Sequence, residues 1–115
     1  MKHSTTAPTK SEQARFDKLH DLGCIACRLN GFTHPTVAEI HHFLRGNKRI
    51  GHAATVPLCG WHHRAAFDGT NEATMLALMG PSFHRHTREF RARYGDDAVL
   101  LARVNALIDN NGEQQ

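Results

Sequence analysis

The 115-residue sequence predicts a small α+β domain in which two short strands and a following helix form a core flanked by further helices. Three observations point that way. Helical patterning with caps and stops occupies both ends of the chain, whereas the middle holds two β-branched stretches, "TVAEIHHF" and "ATVPL". Two side-chain pairs with the same two-residue gap, Cys24-Ile-Ala-Cys27 and Cys59-Gly-Trp-His62, bracket those strands. The length suits one hydrophobic core and is too short for two ordinary ones.

Taken in order, residues 1–10 are polar, contain Pro8 and carry no periodic signal, so a disordered tail is expected there. A single domain is expected over 11–110, with 111–115 fraying. "SEQARFDKLHDLG" predicts a helix capped by Ser11, with Ala14, Leu19 and Leu22 as its apolar stripe and Gly23 as its stop. "CIAC" reads as a tight turn and "RLNGFTHP" as a loop. "TVAEIHHF" predicts a strand packing through Val37, Ile40 and Phe43. "LRGNKRIGH" reads as a basic, glycine-bracketed loop, and "ATVPL" as a second strand whose Pro57 puts it at an edge or a strand end. "CGWHHRAAFDG" turns into a helix stopping near Gly69, and residues 71–79 predict a short apolar helix. "PSFHRHTREFRARYG" predicts a helix opening on Pro81 and Ser82 and closing at Gly95. The last helix, "DDAVLLARVNALID", takes Asp96 or Asp97 as its cap and sets Val99, Leu100, Val104, Leu107 and Ile108 on one face.

The bulk chemistry narrows the class. Ten histidines stand against one tyrosine and one tryptophan, which favours metal binding or near-neutral acid–base work. A net charge of +3 is compatible with a polyanionic partner without demanding one. An odd set of three cysteines, two of them three residues apart, is a poor disulfide framework and suits thiolate ligands in a reducing compartment. No apolar run spans a membrane and the N-terminus has no signal-peptide core, so a soluble, cytoplasmic protein is expected.

The two pairs together supply three sulfurs and one nitrogen, the donor set of a closed tetrahedral zinc site: Cys24, Cys27, Cys59 and His62. A thioredoxin-like role for Cys24 and Cys27 would need a parallel sheet that the pattern does not provide. If His62 serves zinc, His63 points elsewhere, because neighbours on a helix lie about 100° apart. His63 is then available for a second metal. On the first strand, His41 and His42 alternate between faces unless the strand is ending, and one metal ligand plus one general base is the reading adopted.

This constellation of CxxC, "EIHHF", a loop and "PLCGWHH" opening a helix resembles the HNH endonucleases with the ββα-metal fold. The downstream "GPSFHRHTREFRARYGDDAVLLARV" is similar to the phage recombination-enhancement (Ref) nucleases, HNH enzymes that depend on RecA; the likeness runs from about Leu22 to about Leu107. The resemblance implies hydrolysis of DNA phosphodiester bonds with little sequence specificity, in recombination, repair or phage replication, with DNA and a RecA filament as partners. It implies His42 as general base and His41 with His63 as ligands of a catalytic Mg²⁺ or Mn²⁺, beside the structural Zn²⁺. His84 is a candidate third ligand. Arg45, Lys48, Arg49 and Arg64, next to these histidines in the chain, are candidates for contacting backbone phosphates. Two departures stand out. The family's asparagine, which orients the base histidine, has no counterpart before "PLC", where His52 and Thr55 are the polar candidates. The N-terminal tail is also shorter and less basic than the Ref arm. The competing reading is a zinc-stabilised module without catalysis that binds DNA or docks on a recombinase.

Overall fold

The computed structural model describes residues 7–113. Its first helix, α1 (Lys10–Leu22), is capped by Thr9 rather than Ser11. Thr9 and Glu12 form a reciprocal capping box: the threonine side chain accepts from the Glu12 N–H at 3.2 Å and the glutamate accepts from the Thr9 N–H at 2.9 Å. Two orphan donors are satisfied at once, which a cap at Ser11 could not do. The expectation of disorder over residues 1–6 and 114–115 lies outside the described residues. Ala14 faces solvent, and the inward positions include Arg15, Phe16, Leu19 and Leu22.

Gly23 ends α1 with a left-handed φ of 78°, and a Cβ there would meet the Thr36 nitrogen at 2.7 Å, so only glycine fits. Instead of a bare turn, Cys24 starts a second short helix, α2 (Ile25–Leu29), and its sulfur accepts from the Cys27 N–H. Strand β1 is shorter than expected, Glu39–His42, and Val37 is 92% exposed because it lies ahead of the pairing. The basic segment is ordered as a small antiparallel ribbon, β2 (Leu44–Arg45) and β3 (Lys48–Arg49). Gly46 and Asn47 both take positive φ at its tip, the geometry that matches strand twist in a two-residue hairpin.

Strand β4 (Thr55–Leu58) returns antiparallel to β1, pairing His42 with Thr55, His41 with Val56 and Ile40 with Pro57. In a two-stranded sheet every strand is an edge, which is how Pro57 is accommodated. Helix α3 (Gly60–Arg64) follows at once and stops at Ala65, in the left-handed region, well short of Gly69. Strand, strand and helix thus form the α+β core the sequence predicts. The short helix expected over 71–79 is α4 (Glu72–Met79), with Asn71 as its cap. The segment from Pro81 does not open a helix. The Phe83 N–H is drawn to the His62 carbonyl at 2.8 Å and the Ser82 N–H to the His86 ring, so α5 begins only at Thr87 and ends at Tyr94. Helix α6 (Asp97–Glu113) takes Asp96 as its cap through the Val99 N–H, and buries Leu100, Val104 and Ile108 while Val99 is 43% exposed.

One apolar cluster joins these pieces: Leu19 and Leu22 of α1, Ile25 of α2, Val56 and Leu58 of β4, Phe90 and Tyr94 of α5, and Leu100 and Val104 of α6. The helices outside the strand–strand–helix unit thereby fix the backs of β4 and α2, leaving β1 and α3 to present polar side chains. No helix among the described residues is long and apolar enough to cross a membrane.

Candidate metal centre and candidate active site

Cys24 and Cys27 come from the cap and first turn of α2; Cys59 and His62 come from the cap and first turn of α3. All four ligand atoms lie within 4.8 Å of one another. A tetrahedral zinc with ordinary bond lengths requires about 3.8 Å between sulfurs and about 3.6 Å between sulfur and nitrogen. Cys27 Sγ and Cys59 Sγ are 3.8 Å apart, and His62 Nδ1 lies 3.5, 3.6 and 3.3 Å from Cys24, Cys27 and Cys59. The donor set and its spacing both fit zinc.

Outer contacts orient the set. His62 Nε2 donates to the Met79 carbonyl at 2.8 Å, which leaves Nδ1 as the ligand nitrogen. The Tyr94 hydroxyl, with one proton to donate, lies 3.1 Å from the same carbonyl and 3.0 Å from Asn30 Oδ1, and Trp61 donates to the Gly80 carbonyl. Gly80 admits no side chain here, since a Cβ would sit 2.7 Å from the Tyr94 hydroxyl. Burial, followed by the neighbouring thiols, pushes Cys24 up, while hydrogen bonds from Cys24 and Cys27 hold Cys59 down. Burial works against charge on His62, but hydrogen bonds to Cys27, Cys59 and Met79 outweigh it and lift the imidazole to about 9. Three crowded thiols cannot share several negative charges among themselves; a divalent cation removes that conflict.

Four further histidines, His41, His42, His52 and His63, gather around β1 and α3. His41 is 9% exposed, with its ring 5.1 Å from that of His63 and 4.5 Å from Phe83. Its Nε2 is buried without a hydrogen-bond partner, an arrangement that costs free energy unless something accepts the lone pair. His63 Nδ1 donates to Glu39 Oε1 at 2.8 Å, so its Nε2 is the nitrogen left for a ligand. Glu39 in turn is held by Arg64 through contacts of 2.8, 3.0 and 3.1 Å, and that pairing first, then the bond from His63, keeps its carboxyl below the usual range against the opposing effect of burial. Two imidazole nitrogens can hold a divalent cation while leaving its other positions open to oxygen ligands such as water and phosphate.

His42, the next residue of β1, packs on α1 and on the loop before β4 while lining the same recess as His41. Its Nε2 lies 3.0 Å from His52 Nδ1, and Phe16 of α1 meets both rings edge-on. Burial first, then the charges of Arg49, His52 and His63, pushes His42 down to about 4; burial first, then His63, His42 and Arg91, does the same for His41. Both rings are therefore neutral near pH 7, the form required of a metal ligand and of a general base. A recess of about 100 Å³ lined by His41, His42, Leu44, Phe83, Arg91 and Asp97 opens between them.

Of the residues singled out from sequence, Cys24, Cys27, Cys59 and His62 converge, and His41 and His63 converge beside His42. His84 does not join them: it is exposed in the turn before α5, and among the described residues no third ligating side chain completes a group with His41 and His63. Arg45, Lys48 and Arg49 are exposed on the ribbon next to His42, and Arg64 is committed to Glu39. Glu39 itself was not anticipated; a lone acid at a strand start gives no signal until α3 is folded against it. A family model described as "Recombination enhancement, RecA-dependent nuclease" matches residues 8–109. No curated protein matches the chain.

Proposed function

The chain belongs to the recombination-enhancement, RecA-dependent nuclease family, and from that premise we propose that it is a metal-dependent endonuclease of the HNH type, hydrolysing DNA with little sequence specificity. The observation that carries this reading is the placement of a neutral, half-buried His42 beside the His41–His63 pair, on the strand–strand–helix unit fastened by the Cys₃His cluster.

In this reading His42 accepts the proton of the attacking water. His52 engages Nε2 of that ring, which leaves Nδ1 for the water. His41 and His63 would hold Mg²⁺ or Mn²⁺; such an ion supplies charge neutralisation at the scissile phosphate and at the departing 3′ oxygen. Glu39 fixes the His63 tautomer and Arg64 fixes Glu39. Arg45, Lys48 and Arg49, exposed on the ribbon beside His42, would grip backbone phosphates, which supplies affinity without base readout. Cys24, Cys27, Cys59 and His62 would hold a structural zinc ion and leave it no open position for chemistry. RecA, on which the family description makes the nuclease dependent, is the proposed partner, presenting the DNA as a filament.

Cleavage of plasmid and single-stranded DNA with Mg²⁺ or Mn²⁺, with and without RecA filaments, tests the proposal. Metal-dependent nicking that rises with RecA is the expected outcome. DNA binding with no cleavage in any combination would favour a binding module instead.

A further inference from the structure

A chain of partly buried polar contacts runs from α1 to the His42 ring, and its first member is a guanidinium. Arg15 occupies an inward position of α1, where apolar residues would ordinarily sit, and burial lowers its pKa despite the opposing charge of Asp109. It spends three donors on two partners: Nε on Thr55 Oγ1 at 3.0 Å, Nη2 on the Thr55 carbonyl at 2.6 Å, and Nη1 on Asn105 Oδ1 of α6 at 2.8 Å. The Thr55 hydroxyl, fully buried, passes the constraint on by donating to the His52 carbonyl at 2.7 Å. His52 Nδ1 then meets His42 Nε2 at 3.0 Å. Phe16, the next residue of α1, closes on both imidazoles from the side.

We propose that Arg15 is a positioning residue for His42, acting through Thr55 and His52. The inference rests on the reading of His42 as the general base. The physical case is that Thr55 sits opposite His42 in the β1–β4 register, and its hydroxyl is taken up by Arg15 and the His52 carbonyl rather than by the ring. The loop between β3 and β4 carries His52 and is anchored at its end by the Thr55 hydroxyl, whose second hydrogen bond comes from Arg15. Without that donor, the hydroxyl is free to rotate away and the loop loses the tether that sets His52 against His42. The planar fork matters as well. A lysine has no rigid pair of donors with which to hold the Thr55 hydroxyl and carbonyl together. Asn105 fixes the guanidinium from the α6 side, so the clamp joins the first and last helices to the reacting group.

The test compares Arg15→Met, which keeps the apolar stem and removes the donors, with His52→Ala and with the double variant, all in the zinc-loaded full chain. Expected for Arg15→Met is a loss of about ten- to a hundredfold in kcat, as small misplacements of a reacting group cost, with KM for DNA and zinc content unchanged. In the His52→Ala background the same change should add nothing, since both act along one path. Arg15→Lys should fail to restore the rate. If Arg15→Met does not fold, Thr55→Val breaks the same link with little change of volume and is read in the same way. Nitrogen chemical shifts of the His42 ring give a readout independent of cleavage: both variants should change its tautomer ratio or broaden its signals. Additive losses in the double variant, or unaltered His42 signals, overturn the proposal. A wild-type protein that cleaves nothing would instead remove the nuclease reading, while the ring shifts would still decide whether Arg15 orders His42.

Discussion

Glu39→Gln separates what the carboxylate does for the fold from what it does for the proposed second metal. The substitution keeps the side chain's shape and an oxygen for His63 Nδ1, but replaces a charged acceptor with a neutral one and leaves Arg64 without its ion pair. For folding the consequence is small. The His63 and Glu39 side chains are 26% and 34% exposed, so their contact contributes about 1 kcal/mol at most. For metal binding the consequence is larger, because a carboxylate behind a ligand histidine raises the basicity of the coordinating nitrogen and fixes the ring. Loss of such partners weakens metal affinity by about 10- to 100-fold, or about 1.4–2.8 kcal/mol. Calorimetric titration of the zinc-loaded protein with Mn²⁺ measures that directly, beside zinc content and thermal unfolding. The expected result is a weaker Mn²⁺ isotherm, full zinc content, a nearly unchanged melting temperature, and cleavage that recovers at saturating Mn²⁺. Unaltered Mn²⁺ affinity would refute the assignment of His63 as a ligand oriented by Glu39. Loss of zinc or of the fold would show that the carboxylate's work is structural.

Zinc binding should release protons at neutral pH, because the thiols and an imidazole held near 9 must deprotonate to coordinate; affinity should therefore rise with pH through about 9, as titrations in buffers of different ionisation enthalpy would show. Cys59→Ser is expected to lower zinc affinity and abolish cooperative unfolding, since α2, β4 and α3 meet at that cluster; retained cooperativity in circular dichroism melts would contradict this. Because His42 is pushed from 6.5 down to about 4, its neutral form persists as pH falls, and kcat at saturating metal should hold from about pH 8 to about pH 5 rather than decline around 6.5. Arg49→Glu replaces one of the charges that depress His42, so the acid limb should move to higher pH; an unmoved limb would dissociate Arg49 from the base.

The parts of this site legible in sequence were those set by short-range spacing. CxxC and CxxH each put two donors on one helical turn, so the zinc set needed only the return of the chain to be complete. The split between His62 and His63 followed from the angular step of a helix, and the two residues do face a thiol cluster and a carboxylate respectively. What sequence could not supply depends on long-range approach. Glu39 meets His63 across 24 residues, and Arg15 reaches Thr55 across 40. His52 and Thr55 were equal candidates beside His42 until the β4 register put the threonine into the backbone pairing and turned the His52 ring onto His42. Other differences had local signals. Thr9-x-x-Glu12 is a capping box two residues ahead of the expected cap, and Gly46-Asn47 is a hairpin turn within what reads as a loop. His84 was placed on a helix because Pro81 and Ser82 look like a start, but the backbone there is recruited by His62.

Single-turnover cleavage of DNA by wild type and His42→Ala, at matched zinc content and saturating Mn²⁺, is the most direct trial of the proposed chemistry. A general base of this kind contributes about 10²–10⁴-fold. The variant should therefore retain DNA binding and zinc while its rate falls by at least about 100-fold, with the remaining wild-type rate rising in the presence of RecA filaments. Equal rates for the two proteins would contradict the assignment of His42 as the base, and an inactive wild type under all of these conditions would contradict the nuclease mechanism itself.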